Sequence, residues 1–335
     1  MSKDKIIYRV DGGRVWGVSM GHVKRAMISA MHLANLYEVV FIMKDYKDGI
    51  SYVKDSGFAV ETIGINDDRD ETIVELIKKH DPIKVIFDLR SNPYNSLFDF
   101  ARDNNIKTIV FDILGDCCGS PDIIINDSFV PEFTSYSLES KKTSLYIGPE
   151  YFLSEGLPSP EELNEKITNV AVTMGGSDPA GLTKKIVEIL IESSESKQYN
   201  IILGPLFCDI SEQYIREICR GKKNFIIYKN PTNFLEILAL QDLVICAAGR
   251  TLYECAYLGR PTIVVPSIEH ERVTAVKYSE LTKSHNVGLW QDDTPLKIKK
   301  SISRYENFQL REELHFLGRS LIDGNANDRI MKLLN

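Results

Sequence analysis

The sequence predicts an α/β protein of two Rossmann-like domains whose parallel sheets face each other across a cleft. Three observations lead there. Short β-rich runs alternate with segments of helical periodicity along the chain, which implies βαβ units and parallel sheets. A Pro/Gly/Ser segment, Gly156-Leu157-Pro158-Ser159-Pro160, interrupts that alternation near the middle. The length of 335 residues suits two domains at roughly 100–200 residues each.

In chain order, Ile6–Val10, Val39–Met43, Val60–Ile63, Val85–Asp88, Thr108–Asp112 and Asp122–Asn126 read as short buried strands. Val23, Met27, Ala30, Met31 and Ala34 recur on one helical face, and Glu71–His80 and Asn95–Asp103 behave alike. After the break the pattern restarts. Val170–Met174, Ile201–Leu203, Phe225–Tyr228, Leu243–Cys246 and Thr262–Val265 read as strands, with a helix over Leu182–Ile191. The stretch from Thr294 to Asn335 reads as helical. The expected division is an N-terminal domain over 1–152, a linker over 153–166 and a C-terminal domain over 167–335. The terminal helices are free to pack back on the first domain.

Composition narrows the function classes. Lys and Arg number 40 against 47 Asp and Glu, a net charge of −7. A phosphate-tracking surface shows as a basic excess, so a nucleic-acid partner is not expected. A small anion held by backbone amides is compatible. No apolar run approaches the roughly 18–20 residues of a membrane span. Ile6–Val10 is too short for a signal segment. No stable membrane insertion and a cytoplasmic location are therefore expected. The six cysteines form no paired C-x-x-C, and the six histidines no H-E-x-x-H. Reduced thiols, no metal and no cofactor follow.

In parallel sheets, ligands bind outside the carboxyl ends of the strands. Three strand-to-helix loops stand out there. The first runs from Asp11-Gly12-Gly13 to Met20-Gly21-His22 and enters a helix carrying Lys24 and Arg25. Partial positive charge at a helix N-terminus disfavours an imidazolium. His22 is thus a candidate general base, with a merely packed or capping His as the alternative. The second loop, Met174-Gly175-Gly176-Ser177-Asp178-Pro179, offers amides to an anion; Ser177 or Asp178 can cap, and Pro179 suits a first helical turn. The third, Cys246-Ala247-Ala248-Gly249-Arg250-Thr251, leads into a helix with Glu254 on the same face as Arg250 and Thr251. A carboxylate there suits a ribose diol, with a surface Glu favoured by the helix dipole as the alternative. No G-x-x-x-x-G-K-[ST] occurs and the first loop lacks a clean G-x-G-x-x-G, which argues against ATP hydrolysis and NAD binding.

Together four segments resemble a known family. They are Met20-Gly21-His22-Val23-Lys24-Arg25, Gly148-Pro149-Glu150-Tyr151, Gly175-Gly176-Ser177-Asp178-Pro179 with Leu182-Thr183, and Ala248-Gly249-Arg250-Thr251-Leu252-Tyr253-Glu254. The chain looks like the UDP-sugar hydrolases of the pseudaminic acid pathway and their relatives described as spore-coat polysaccharide glycosyltransferases. These share the GT-B fold with the MurG-type N-acetylglucosaminyltransferases. The resemblance implies that His22 activates water against the anomeric carbon, with UDP as leaving group and no metal. It implies a diphosphate held by Gly175, Gly176, Ser177, Gly249 and Thr251, a ribose held by Glu254, and uracil near Tyr228–Phe234. Asp11, Gly21, Arg25, Asp88, Asp178 and Arg250 join them as candidate substrate-binding residues.

The chain departs from the family pattern at several places. Ser19-Met20-Gly21-His22 stands for G-x-G-H, Asp88-Leu89-Arg90 for Asp-x-Tyr, and Phe111-Asp112-Ile113 for a paired Asp. Arg250 replaces a small residue, and Glu269-His270-Glu271-Arg272 replaces an Asn-Gln or Glu-Gln. The first three lie in the sugar half. Arg90 is a candidate for an acidic sugar or acceptor, and His270 for the donor, with a solvated surface Arg and an exposed helix-start His as the alternatives. The expected activity is a UDP-sugar hydrolase. A glycosyltransferase of the same fold is the alternative, ahead of a hydrolysing 2-epimerase and a non-catalytic nucleotide-sugar binder. The oligomeric state is left open.

Overall fold

A computed structural model describes residues 3–13, 18, 20–67, 69–89, 95–112, 115, 117, 119–130, 136, 142–154, 156–192 and 197–335. Arg90 and residues 14–17 and 19 of the first loop lie outside them. The chain forms two compact units, Met1–Glu155 with Asn325–Asn335, and Gly156–Gly324.

Unit 1 contains β1 (Lys5–Val10), α1 (Gly21–Leu33), β2 (Glu38–Lys44), α2 (Lys47–Asp55), β3 (Ala59–Ile63), α3 (Asp70–His80), β4 (Lys84–Asp88), α4 (Asn95–Asp103), β5 (Lys107–Phe111), β6 (Ile123–Asn126) and β7 (Ser144–Ile147). Its sheet runs β3-β2-β1-β4-β5-β6-β7, and every neighbouring pair is parallel. β1, β4 and β6 are buried along most of their length, as their mainly apolar sequences require for a sheet covered on both faces. One face packs Ile6, Tyr8 and Phe41 against Val23, Met27 and Leu33 of α1. The other packs Ile7, Val85 and Phe87 against Ile73, Ile77, Leu97 and Phe98.

Unit 2 contains β8 (Asn169–Thr173), α5 (Leu182–Ile191), β9 (Gln198–Leu203), α6 (Asp209–Ile218), β10 (Phe225–Lys229), α7 (Phe234–Ala239), β11 (Leu243–Cys246), α8 (Thr251–Leu258), β12 (Thr262–Val264), α9 (Glu271–Thr282), β13 (His285–Asn286), α10 (Thr294–Arg304) and α11 (Phe308–Leu321). Its sheet runs β10-β9-β8-β11-β12-β13, again all parallel. Val170, Val172, Ile201 and Ile245 anchor its core. Each such fully buried side chain contributes about 1.5–3 kcal/mol.

Both sheets reverse strand order at one point, between β1 and β4 and between β8 and β11. At such a reversal the two following helices diverge, and a crevice opens beyond the strand ends. Val10 is paired with Asp88 in unit 1, and Thr173 with Cys246 in unit 2. All three predicted loops, and Asp88, therefore begin at these two crevices.

Several elements differ from expectation. α2 and β13 carry too few apolar residues to announce themselves, and β7 is a four-residue strand left partly exposed. Gly49 in α2 is there for space: a Cβ would stand 2.0 Å from the Gly12 carbonyl oxygen. The helical stretch from Thr294 divides into three helices, because Asn307 caps α11 through the Leu310 amide and Gly324 takes a positive φ of 79° before the last. That last helix, α12 (Ala326–Leu334), belongs to unit 1 and buries Ala326, Ile330 and Leu334 in the core that α1 shares. The buried Lys84 amine holds its end, donating to the Leu334 and Asn335 carbonyls at 2.6 and 2.8 Å. Within the expected 153–166 linker, Asn164 and Glu165 are pinned to unit 2. The Arg311 guanidinium donates to both carbonyls, and Asp242 accepts from the Asn164 side chain. Among the described residues no helix is long and apolar enough to cross a membrane.

Candidate active site

In unit 1 the site grows from α1. Its first turn carries His22, and one turn on lies Arg25, so both project toward the end of β4. There Asp88 is fully buried. The His22 Nδ1 lies 2.7 Å from Asp88 Oδ1. Arg25 closes a two-pronged pair on the same carboxylate, with Nε 2.7 Å from Oδ2 and Nη2 2.6 Å from Oδ1. Asp127 stands 3.8 Å from the guanidinium, and the Phe111 ring lies 5.4 Å from its carbon.

The electrostatics fix the tautomer. Burial works to raise the Asp88 pKa, but the charge and hydrogen bonds of Arg25, helped by His22, outweigh it and hold the group at about 2. Burial likewise works to lower the Arg25 pKa, and Asp88 reverses it, so the guanidinium is held above its ordinary value. An ionised carboxylate only accepts hydrogen bonds. His22 therefore donates from Nδ1, and in the neutral ring Nε2 carries the lone pair. The His22 side chain is 22% exposed, and among the described residues Nε2 has no partner.

Several predicted substrate contacts take other parts here. Asp88 and Arg25 are buried and committed to each other and to His22. Asp11 is also engaged: it accepts from both terminal nitrogens of Arg9, at 2.6 and 2.9 Å, and from the Lys44 amide at 2.7 Å. It ties the ends of β1 and β2 together. Gly21 opens α1 and is exposed.

In unit 2 the second loop leaves β8. Gly175 takes a φ of +77°, and an added Cβ on Gly175 or Gly176 would meet nothing within 4 Å. The backbone is thus bare to an incoming group. Behind it, Gly204 at the end of β9 is packed so tightly that a Cβ would stand 2.4 Å from the Gly175 carbonyl oxygen. Gly204 went unnoticed in the sequence, and only the fold reveals that close approach. Among the described residues the amides of Gly175, Gly176 and Ser177 donate to no acceptor. Asp178 is different. Its two oxygens accept the Leu182 and Thr183 amides, both at 2.8 Å. The start of α5 is therefore capped by the chain's own carboxylate, and the anion expected there is left the loop amides instead.

The third loop leaves β11. Gly249 and Thr251 also carry amides without an acceptor among the described residues. Arg250 is exposed and stacks 5.5 Å from the Tyr253 ring centre. Glu254 is half-buried in the first turn of α8. His270 is exposed and precedes α9. Its neighbour Glu271 is the acid that sequence reasoning passed over. The Glu271 Oε2 accepts the Ser267 amide at 2.6 Å and the Ala248 amide at 3.4 Å. Burial pushes its pKa up, against those two bonds. The turn from Asn230 to Asn233 follows β10 in unit 2, with Asn230 at a φ of 45°.

Comparisons with known proteins agree with this architecture. Residues 170–314 match the glycosyltransferase family 28 C-terminal domain. The uncharacterized protein MJ1062 of Methanocaldococcus jannaschii is 31% identical over 303 residues, 84% of this chain and 60% of that protein. The chain thus spans about 60% of that relative's length. The spore coat polysaccharide biosynthesis protein SpsG of Bacillus subtilis is 24% identical over 335 residues, covering 97% of this chain and 96% of SpsG. Among solved structures, MurG of Acinetobacter baumannii superposes with a TM-score of 0.71 at 16% identity, covering 98% of each chain. With two parallel-sheet units of this topology, the chain has the GT-B fold, and its second unit is similar to the family 28 C-terminal domain.

Proposed function

We propose that this chain is an enzyme that breaks the bond between a sugar's anomeric carbon and UDP, with His22 as general base. The reading assigns UDP to the amides of Gly175, Gly176, Ser177, Gly249 and Thr251, the ribose to Glu254, and further contacts to Arg250 and His270. Asp88 and Arg25 act through His22 as positioning residues. The observation that carries it is the ionised Asp88 on His22 Nδ1, which leaves Nε2 to take a proton. With water as nucleophile, Nε2 accepts the water proton as the oxygen bonds to the anomeric carbon. The carbon–oxygen bond to UDP breaks, and its electron pair leaves on the diphosphate, where backbone amides meet the charge. The product is a free sugar, in the hydrolase reading a deoxy-amino sugar of cell-surface glycan or nonulosonic acid synthesis.

A second reading replaces water by an acceptor hydroxyl, with the same base and leaving group. The family 28 match and the name of SpsG favour it, and they favour a setting in polysaccharide biosynthesis for either reading.

The deciding experiment is an acceptor-free incubation with a panel of UDP-sugars, diacetamido-trideoxy sugars included, in ¹⁸O-water, followed by mass spectrometry. UDP with ¹⁸O in the free sugar is the result expected of the hydrolase. Donor that is bound but stays intact gives the function to the transferase. Donor that never binds removes both.

A further inference from the structure

Glu271 opens α9, yet its carboxylate reaches outside that helix. The strong bond to the Ser267 amide, at 2.6 Å, ties down the turn after β12. A helix cap explains that bond alone. It does not explain why the same oxygen also meets the Ala248 amide, 23 residues away in the third loop. Nor does it explain why Oε1 lies over Gly249, 3.9 Å from where a Cβ would stand. One half-buried carboxylate thus joins two strand-end loops of unit 2.

We propose that Glu271 is a positioning residue that fixes the loop from Ala248 to Thr251 for a nucleoside diphosphate. The inference rests on the reading that this loop holds UDP. Glu271 takes the Ala248 amide for itself, and the amides of Gly249 and Thr251 remain for phosphate oxygens. Fixing the loop beforehand spares the ligand the entropy of ordering it. Acceptor reach is the property that counts. A Gln carbonyl accepts the same two amides, and an Asp carboxylate, one methylene shorter, does not span to Ala248.

The test uses the full chain with Glu271→Ala, Glu271→Asp and Glu271→Gln, and two readouts. UDP affinity is measured by calorimetry. Amide hydrogen exchange is followed over residues 246–252 and 266–270 without ligand. The expected result is a roughly tenfold weaker Kd for Ala and Asp with faster exchange in both segments, while Gln stays within about threefold on either readout. Unchanged exchange in Ala and Asp overturns the clamp. Faster exchange with unchanged UDP affinity overturns its role for the nucleotide, and so does a Gln variant as weak as Ala. If the unaltered protein binds no UDP, the functional reading falls by itself, and the exchange arm, which needs no ligand, still upholds or overturns the clamp.

Discussion

The two strand-order reversals do the same architectural job and present opposite chemistry. At the reversal in unit 1, side chains meet: His22, Asp88 and Arg25 form a buried charged set with one ring edge left exposed. At the reversal in unit 2, the backbone is what is offered, as bare amides beneath open glycines. The acids nearby, Asp178 and Glu271, are spent on holding that backbone. A proton acceptor needs a defined tautomer, and a buried ion pair supplies it. An anion of several oxygens needs many weak donors, and loop amides supply those. One topology serves both because it places the crevice and leaves its lining to the loops.

The sharpest way to break that comparison is His22→Ala. If unit 1 supplies chemistry and unit 2 binding, turnover falls by about 10²–10⁴ while the Kd for UDP stays within about twofold. Equal losses in both, measured by steady-state kinetics and calorimetry, would erase the division of labour.

Asp88→Asn comes next. An amide in that place can donate to Nδ1 and so permits the wrong tautomer. It also takes from the buried Arg25 the carboxylate it bonds directly, leaving Asp127 at 3.8 Å as the nearest counter-charge. Turnover should drop about 10²-fold, and unfolding free energy should fall by about 3–5 kcal/mol. The pH dependence gives a second signature. The native Asp88 pKa, about 2, lies below its ordinary 3.8. Its contribution to stability is therefore whole above pH 3.8 and lost as pH falls through 2. It amounts to roughly 2 kcal/mol. Urea unfolding between pH 2 and 6 should show that decline in the wild type and a flatter profile in the variant.

Much of this was legible in the sequence because it is written locally. Val/Ile runs such as Ile6–Val10 and Leu243–Cys246 can only be buried strands in this pattern, and His22 stands out beside Gly21 at a helix start. What stayed hidden depends on residues far apart in the chain. Nothing in Ala326–Leu334 says that Lys84, 250 residues before Leu334, will hold its carbonyls. Arg25 and Asp88 read as substrate contacts because each is a charged group near a loop. Only their pairing, 63 residues apart, turns them into a support for the ring. Glu271 hid for a related reason: beside His270 it reads as a surface acid in a first turn, and its reach to Ala248 exists only once β11 and β12 are neighbours. β7 was missed because Ser144–Ile147 is partly exposed and has no buried apolar run to betray it.

The smallest effects test which atoms of the second loop touch ligand. Gly176 has open space where a side chain would go, so Gly176→Val should fold with little loss yet obstruct an anion, weakening UDP binding about tenfold. Asp178 predicts the reverse. Its carboxylate is used up on the Leu182 and Thr183 amides, so Asp178→Ala should cost about 1 kcal/mol of stability and leave the Kd for UDP within about threefold. Thermal melts and calorimetry on the two variants separate the roles. The contrast is decisive because the residues are two apart on one loop and differ only in what already occupies them. If Asp178→Ala weakens UDP as much as Gly176→Val does, then the carboxylate serves the ligand through the backbone it holds. The neat separation of cradle from scaffold in unit 2 would then give way to one coupled device, closer to the His22 set in unit 1.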